Sequence, residues 1–485
     1  MNRVKIRQYV QNQLSRAPFL LRSYIQDEFG NKYLPRNIFI RIKKILNDFL
    51  KGEKTIRIIV IPGLRGVGKT TLLAQLFFEI FPKYQKQLLY ISVDEIVNIL
   101  KSDIQTVLEE YQNILDTSFE KLDENVFIFI DEIHYDKNWP SVLKSIYDKS
   151  KNVFIICTGS SALSLQSTTD LSRRVIFEKL YPMSFIEYIL LETKNLSLKD
   201  KDIKPKFPSK GLKEKIKNAL FYSFSAKIGF STLKELEKEK NNYWIGIDRL
   251  EINRYLKLGT MPFSLTIKDE NLTLRLINEL IDKVIKKDLF ELEKFSIDTI
   301  EKIKNILLMI AGSDEISITS LAKNLTDISI NTLIDVFDAL EKAEMLIRVY
   351  PYGSVYKKVR KPSKYYFMSP SLRYTLLSIV EGESAFEKYK GKYLEDIISL
   401  YLYREFSQKG ISSLFYDSAR GGANFILQVG KRKIVIEIGF GNKGIKQVEY
   451  SLKKTKGDYG LVISESELSL HNNIIKVPLD YFLLI

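Results

Sequence analysis

The chain alternates short apolar runs with helical stretches between residues 55 and 180. A strand buried on both faces shows no polar alternation, and parallel sheets covered by helices are built from such strands. The pattern therefore predicts an α/β fold in which helices cover both faces of a parallel sheet. The five runs are IRIIVI at 56–61, QLLYISV at 87–93, VFIFI at 126–130, VFIICT at 153–158 and RVIFEKL at 174–180.

Four further regions are predicted around this core. Residues 1–50 are helical, with Ile38, Ile42, Ile45 and Leu46 at helical spacing. A helical lid, a winged helix and a small α/β domain follow the core. Three helices and two β-rich runs that flank a basic turn indicate the winged helix. The predicted boundaries are 1–50 for the N-terminal helices, 51–190 for the core, 191–298 for the lid, 299–375 for the winged helix and 376–485 for the last domain.

Composition and charge bear on the partners. Apolar residues make up 45% of the 485 residues and charged residues 27%, which is typical of a globular protein with buried cores. Lys and Arg number 74 against 59 Asp and Glu, a formal charge of +15. This charge favours polyanionic partners, with nucleic acid ahead of a membrane surface. The alternative interpretation is a lysine-rich solvated surface.

Cysteine content and hydropathy indicate the compartment. The single cysteine, Cys157, excludes disulfides and zinc clusters and fits a reducing interior. No apolar run reaches about 18 residues, the length needed to span a bilayer, so no membrane segment is expected. The first residues, MNRVKIRQYVQNQL, lack the apolar core of a signal peptide. We therefore expect a cytoplasmic protein.

The stretch GLRGVGKTT follows the first apolar run and fits G-x-x-x-x-G-K-[ST] completely. Its glycines permit positive φ and keep side chains away, so that successive backbone amides can turn toward phosphate oxygens. The following helix adds the positive end of its dipole. The motif predicts an ATP site in which Lys69 reaches the β- and γ-phosphates and Thr70 binds Mg²⁺. The predicted cradle consists of Gly63, Leu64, Arg65, Gly66, Val67, Gly68, Lys69, Thr70 and Thr71.

Two acids end the third apolar run, in VFIFIDEIH. They fall at the carboxyl edge of a central strand, where such sheets bind their ligands. Asp131 is predicted to hold Mg²⁺ through water, and Glu132 to polarise the water that attacks the γ-phosphate. The alternative is a solvated strand end, which two acids after a fully apolar strand disfavour.

Hydroxyl and arginine side chains near the last two runs are further candidates. Thr158 or Ser160 would touch the γ-phosphate or the attacking water, unless these hydroxyls merely cap the following helix. Arg174, which follows Arg173 in LSRRV, would stabilise transition-state charge in cis or from a neighbouring subunit. A surface salt bridge is the alternative for Arg174.

The predicted winged helix gives a mixed signal about DNA. The apolar residues of its third helix recur at helical spacing and would be buried, which leaves Asp335, Asp338 and Glu341 on the outward face. Carboxylates repel a phosphate backbone, so that insertion of this helix into a major groove is doubtful. The buried residues are Leu333, Val336, Phe337 and Leu340.

The basic turn of the same region gives the opposite signal. Its cations alternate with tyrosines and would track phosphates while the rings stack on exposed bases. A solvated turn or a docking surface for the core is the alternative. The DNA candidates are Lys357, Lys358, Arg360, Lys361 and Lys364, and the tyrosines are Tyr352, Tyr356, Tyr365 and Tyr366.

With these motifs in place, nearly the whole chain resembles the archaeal and bacterial AAA-type ATPases of the signal-transduction-like branch. The resemblance implies a P-loop NTPase core with ATP and Mg²⁺, a winged helix and a C-terminal restriction-endonuclease-like domain. Two departures are that Gly66 follows Arg65 where paired arginines are common, and that Arg173 replaces a usual glycine. The segments that carry the resemblance are GLRGVGKTT, DEIHYDKNWPSVLKSIYD, TGSSALSL, LSRRVIFEKLYPMSFIEYI, YLKLGTMPFSL and KYYFMSPSL.

The last domain departs further from the family pattern. Members with nuclease character have a strand ending in an acid and Glu-x-Lys on the next strand, where the acids bind metal and the lysine steadies hydroxide. Here Asn424 stands in place of the aspartate and Gly439 in place of the lysine, while Glu437 is present. Glu395 would supply one more ligand, and Lys443 would reach in from a neighbouring turn. We therefore expect an inactive nuclease-like domain used for packing or DNA contact.

These observations support one main functional hypothesis and two alternatives. The main hypothesis is an Mg²⁺-dependent ATPase that couples ATP binding and hydrolysis to engagement of DNA, as a homo-oligomer. The first alternative is a slow nucleotide-gated switch or scaffold that binds a protein partner without DNA. The second is an ATP-regulated DNA nuclease.

Overall fold

The chain, described here from a computed structural model, divides into two compact units, Met1–Tyr181 and Pro182–Ile485. The boundary between the units falls inside the range 51–190 predicted for the core. The division into five domains stays a prediction. The structure describes residues 2–160, 171, 173–199, 206–289, 295–313, 318–325, 328–354, 361–407 and 412–485.

The first unit is built on a five-stranded parallel sheet. Its strands are β1 Ile58–Pro62, β2 Leu88–Ser92, β3 Val126–Asp131, β4 Val153–Gly159 and β5 Val175–Phe177. Their order in the sheet is β2-β3-β4-β1-β5, and each neighbouring pair is parallel. Each apolar run forms one strand, so the predicted α/β fold is confirmed.

Helices cover both faces of this sheet. Successive side chains of β3 point to opposite faces. On one face, the ring centroids of Phe127 and Phe129 lie 5.9 Å from Phe49 and 5.6 Å from Phe77, respectively. On the other face, Ile128 belongs to a buried apolar cluster that also includes residues of three helices, Asn2–Arg22, Ile104–Leu115 and Trp139–Lys149. The helices of the described part of this unit are α1 Asn2–Arg22, α2 Asn37–Leu50, α3 Lys69–Tyr84, α4 Val93–Asn98, α5 Ile104–Leu115 and α6 Trp139–Lys149.

The second unit contains an eight-stranded mixed sheet. Its strands are β6 Leu346–Pro351, β7 Lys364–Phe367, β8 Ser412–Tyr416, β9 Phe425–Val429, β10 Arg432–Ile438, β11 Tyr459–Ser464, β12 Ser469–His471 and β13 Ile474–Pro478. Their order is β12-β13-β11-β10-β9-β8-β6-β7. The predicted strands FILQV, KIVIEI and YGLVIS correspond to β9, β10 and β11, and the sequence analysis missed β8, β12 and β13.

The β6–β7 hairpin continues into the C-terminal strands. The two strands of the hairpin pair antiparallel, and β6 also pairs parallel with β8, with Tyr350 opposite Phe415. The amide of Tyr352 extends this pairing by donating to the carbonyl of Tyr416 at 2.9 Å. The predicted winged-helix range and the predicted last domain therefore share one sheet.

Helices make up most of the remaining second unit. None of the helices in the described residues is both long enough and apolar enough to cross a membrane. In the described part of this unit, short π-helical segments extend the C-terminal ends of three α-helices, at Tyr255–Gly259, Val284–Leu289 and Tyr403–Ser407. The α-helices in the described part of this unit are α7 Phe185–Lys199, α8 Leu212–Phe221, α9 Ala226–Glu235, α10 Glu237–Trp244, α11 Leu250–Arg254, α12 Glu270–Lys283, α13 Ile297–Gly312, α14 Ile318–Asn324, α15 Ile330–Lys342, α16 Pro370–Glu381, α17 Ala385–Leu402, α18 Lys446–Thr455 and α19 Leu479–Phe482.

Helix α15 buries the apolar face that its spacing predicts. Its outward carboxylates are less free than expected, because Arg348 of β6 lies 3.0 Å from Asp338 and 3.9 Å from Glu341. Asp335 is exposed. The outward face of α15 is therefore partly neutralised by the neighbouring strand.

Candidate functional site

The loop between β1 and α3 has the backbone geometry of a phosphate cradle. Gly66 and Gly68 have φ angles of 80° and 91°, in the left-handed region that favours glycine. Gly68 is also the N-cap of α3, so the loop ends at the positive end of the helix dipole. The side chains of Leu64 and Val67 are buried and anchor the loop in the unit. Backbone amides next to a helix N-terminus are suited to phosphate oxygens.

Lys69 lies inside this loop, with 6% of its surface exposed. Its Nζ donates to the carbonyl oxygens of Gly63 at 2.9 Å and Leu64 at 3.2 Å. Thr71 follows in the first turn of α3 and is half-buried. The loop therefore holds a fixed positive charge beside its backbone amides.

Asp131 connects the loop to the ends of two neighbouring strands. Its Oδ2 accepts a hydrogen bond from the Thr70 hydroxyl at 2.9 Å, and its Oδ1 accepts one from the hydroxyl of Thr158 at the end of β4. Burial raises the pKa of Asp131, and the charge of Glu132 adds to the rise. The two hydroxyls and Lys69 oppose it. The two predicted metal-binding residues, Thr70 and Asp131, are thus brought together with the candidate Thr158.

These oxygen atoms fit a magnesium ion. Mg²⁺ prefers hard oxygen ligands and is usually held by one or two carboxylates together with phosphate oxygens and water. The Thr70 hydroxyl and the Asp131 carboxylate provide such atoms at the mouth of the phosphate loop. The donor set at this sheet edge therefore agrees with the predicted cofactor.

Glu132 has an unusual backbone conformation directly after β3. Its φ of 54° lies in the left-handed region, and its amide donates to the Thr158 hydroxyl at 3.2 Å. Its Oε2 lies 3.3 Å from Nδ1 of the buried His134. The amide of Ser160 donates to the same nitrogen at 3.3 Å. Nδ1 can accept the bond from Ser160 or donate one to Glu132, but it cannot do both at once. The His134 ring thus lies between the Glu132 carboxylate and the end of β4.

Arg65 and Tyr135 form a second bridge between the phosphate loop and the segment after β3. The Arg65 guanidinium donates to the Tyr135 hydroxyl at 3.0 Å. Burial raises the pKa of Tyr135 to about 12, so this hydroxyl stays protonated at neutral pH. The Tyr135 ring centroid lies 4.5 Å from that of His134.

The predicted nuclease residues also come together, in the second unit. The side-chain amide of Asn424 donates to Glu395 Oε1 at 2.8 Å, and its backbone amide donates to Glu437 Oε2 at 3.1 Å. Lys443 reaches in from the turn after β10, with Nζ 3.0 Å from Glu437 Oε1. Burial raises the pKa of both glutamates, and the charge of Lys364 opposes the rise at each.

This second cluster does not fit a divalent metal. Each carboxylate already accepts from a nitrogen donor, Asn424 at Glu395 and Lys443 at Glu437. Within the described ranges, no group of three or more His, Cys, Asp or Glu side chains is arranged to hold a metal ion. The ammonium and the amide occupy the place of a cation between the acids.

Comparisons with known proteins agree with the geometry of the first site. A family model described as an AAA domain matches residues 55–189, and a model for a domain of unknown function, DUF8612, matches residues 249–383. The uncharacterized protein MJ1637 of Methanocaldococcus jannaschii is 34% identical over 490 residues, covering 99% of this chain and 94% of that protein. The chain belongs to the AAA-type P-loop ATPase family.

Other matches to this AAA-type chain are more distant. The uncharacterized protein MJ1544 of the same organism is 25% identical over 418 residues, covering 83% of this chain and 80% of that protein. Among solved structures, the Walker-type ATPase PABY2304 of Pyrococcus abyssi is 15% identical and covers 69% of this chain and 94% of its own, with a TM-score of 0.38.

Arg174 of this AAA-type chain lies far from the phosphate loop along the strand direction. It precedes Val175, which pairs with Ile58 at the start of β1, whereas the loop follows the end of β1. Five strand residues span about 16 Å. The guanidinium instead contacts Asp148, at 2.8 Å and 3.3 Å. This placement argues against a role in cis, and the role from a neighbouring subunit stays a prediction.

Part of the predicted DNA surface of this AAA-type chain faces inward. Lys361 is exposed, but Lys364 is half-buried, with Nζ 5.1 Å from the Tyr416 ring. Tyr365 and Tyr366 are buried, so the prediction that they stack on bases is wrong. Tyr365 packs against Phe337 of α15, and Tyr366 packs against Phe425 of β9 in the C-terminal sheet. Lys357, Lys358, Arg360 and Tyr356 lie outside the described residues.

The sequence analysis missed His134. Its only signal was its place in DEIH, three residues after Asp131, and a lone histidine there does not reveal its contacts. The contact with Glu132 arises because the left-handed turn at that residue and the short 3₁₀ helix Ile133–Tyr135 fold the ring back toward the strand ends.

Proposed function

We propose that this AAA-type chain is a Mg²⁺-dependent ATPase that couples ATP binding and hydrolysis to engagement of DNA, as a homo-oligomer. The ATPase part of this proposal is supported by the Thr70–Asp131–Thr158 hydrogen-bond network at the mouth of the phosphate loop. This network joins the metal-binding candidates to the strand end that would meet the γ-phosphate.

Each residue of the network has a separate role in this proposal. The loop amides and Lys69 bind the phosphates and neutralise their charge. Thr70 and Asp131 would hold Mg²⁺, which when bound neutralises charge that develops on the phosphate oxygens. Glu132 takes the proton of the attacking water on its carboxylate. Thr158 orients Asp131 through its hydroxyl and the Glu132 backbone through the amide.

Charge supports the DNA half of the proposal. The chain carries a formal +15, which favours a polyanion. Lys361, one of the predicted DNA candidates, is exposed shortly before β7. Exposed lysines contact phosphate oxygens and position a protein on the duplex.

Binding to duplex DNA at increasing salt, with and without Mg-ATP, tests this proposal. We expect the affinity to fall steeply with salt, because neutralised phosphates release counterions, and to change when ATP is added. Lys69→Ala is the matched control, which should remove the response to ATP and keep the salt dependence. A flat salt response would contradict the DNA half.

The binding experiment and a plasmid-cleavage assay distinguish the alternatives. Nucleotide binding without DNA binding at low salt would favour the slow switch that binds a protein partner. Plasmid cleavage with Mg²⁺ or Mn²⁺ would favour the nuclease. The pairing of Glu395 and Glu437 with nitrogen donors speaks against cleavage.

A further inference from the structure

Arg36 links the phosphate loop to the end of the first unit. It is the N-cap residue of α2, and 9% of its surface is exposed. One guanidinium nitrogen, Nη1, donates to the carbonyl oxygen of Val67 in the phosphate loop at 3.1 Å. The other, Nη2, donates to the carbonyl oxygen of Tyr181 at 3.0 Å. Tyr181 is the last residue of this unit, and Pro182 begins the next.

The segment that leads to Tyr181 is already packed against the start of the loop. The amides of Glu178 and Leu180 donate to the carbonyls of Val60 and Pro62, each at 2.9 Å, so the segment follows β1 to its end. A Cβ atom at Gly63 would lie 2.4 Å from the Leu180 carbonyl oxygen. The Leu180 carbonyl therefore approaches the loop so closely that a side chain larger than that of glycine does not fit at position 63.

Arginine is suited to joining two backbone carbonyls in this way. Its guanidinium is planar and always charged, and it presents its donors in a rigid fork. A lysine at the same position is a single compact charge on a flexible stem and does not hold two carbonyls at a fixed distance. The chemistry at position 36 thus favours a fixed spacing between Val67 and Tyr181.

We propose that Arg36 is a positioning residue that transmits the state of the phosphate loop to the start of the second unit. Phosphates that draw the loop amides inward displace the Val67 carbonyl, and the rigid guanidinium carries that displacement to Tyr181. This inference rests on the proposed nucleotide binding and adds the route by which binding reaches the rest of the chain.

Hydrogen exchange of the full-length protein, with and without a non-hydrolysable ATP analogue and Mg²⁺, tests the proposal. The readout is the nucleotide-dependent change in exchange of the amides at 183–188. Arg36→Lys should bind the analogue roughly fivefold more weakly, the equivalent of one lost hydrogen bond, and lose most of the change at 183–188. Arg36→Ala should lose the change completely.

Arg41→Ala is the matched control. Arg41 lies on the same helix, α2, and forms an ion pair with Glu178 of the same segment, but 61% of its side chain is exposed. This variant should keep both the affinity and the exchange response. Calorimetry on each variant measures analogue binding separately.

Three outcomes would overturn the inference. The first is a parental exchange response in Arg36→Lys. This variant keeps a buried cation, so it tests the inference even where Arg36→Ala does not fold. The second is an equal loss of response in Arg41→Ala. The third is analogue binding by the parent without any change at 183–188. If the parent binds no analogue, the proposed function fails first and the inference with it.

Discussion

Replacing Thr158 by valine removes the hydroxyl that ties the end of β3 to the end of β4. Valine keeps the branched shape of the side chain, so the change removes polar contacts and little volume. Two hydrogen bonds are lost: the one that the hydroxyl donates to the Asp131 carboxylate and the 3.2 Å bond that it accepts from the Glu132 amide. Thr158 is fully buried, so water does not replace either bond easily.

The magnitude follows from the two bonds. A hydrogen bond to a charged group contributes about 1.5–3 kcal/mol and a neutral one about 0.5–1.5 kcal/mol. We therefore expect Thr158→Val to lower the free energy of unfolding by about 2–4 kcal/mol. If only about 2 kcal/mol of this is lost in the transition state for hydrolysis, kcat/KM falls about 30-fold.

The assay is steady-state hydrolysis of Mg-ATP together with urea unfolding. Thr158→Ser is the matched control, because it keeps the hydroxyl and should retain most of both activity and stability. Parental kcat/KM in Thr158→Val would refute the argument that this hydroxyl organises the site. A serine variant as impaired as the valine variant would show that the loss reflects packing and not hydrogen bonding.

Three further predictions concern other parts of the chain. Arg174→Ala should leave Mg-ATP binding unchanged, because the residue lies at the opposite edge of the sheet, and should slow turnover only at protein concentrations at which the chains associate; weaker binding in calorimetry would contradict this. Asn424→Asp combined with Lys443→Ala should create Mn²⁺ binding detectable by calorimetry, since a third carboxylate then joins Glu395 and Glu437 and the ammonium is removed, and a double variant as inert as the parent would contradict the account of the cluster. Arg373→Met should lower the free energy of unfolding by about 3–5 kcal/mol, because it leaves the buried Asp396 without the guanidinium that donates to it at 2.6 Å and 2.9 Å. A loss below about 1 kcal/mol in urea unfolding, the range of an exposed ion pair, would contradict that estimate.

The sheet of the first unit and its phosphate loop were predictable because their signals are local. Each strand is a continuous apolar run, and the loop motif is contiguous from Gly63 to Thr71. The meeting of Asp131 with Thr158 also follows from general rules, since neighbouring parallel strands end at one edge of the sheet.

Long-range contacts explain what could not be predicted. Arg36 is 31 residues from Val67 and 145 from Tyr181, so no sequence window contains both of its partners. The tyrosines of β7 were expected at the surface, but Tyr366 packs 5.1 Å from the Phe425 ring. That contact depends on the pairing of β6 with β8, which an isolated hairpin pattern does not reveal.

The contact between Lys443 and Glu437 lies between these two cases. The sequence showed that the lysine expected at position 439 was missing and that Lys443 was near enough in the chain to replace it. It did not reveal that the ammonium would pair with the acid at 3.0 Å. The direction of a side chain on a turn depends on packing that the sequence pattern leaves open.

The most direct test of the ATPase account is single-turnover hydrolysis of Mg-ATP by Glu132→Gln beside the parent. The account predicts parental affinity in calorimetry, because the loop, Lys69 and the Asp131 network are intact, together with loss of hydrolysis, because glutamine cannot accept the proton of the attacking water. Hydrolysis by Glu132→Gln at the parental rate would contradict it.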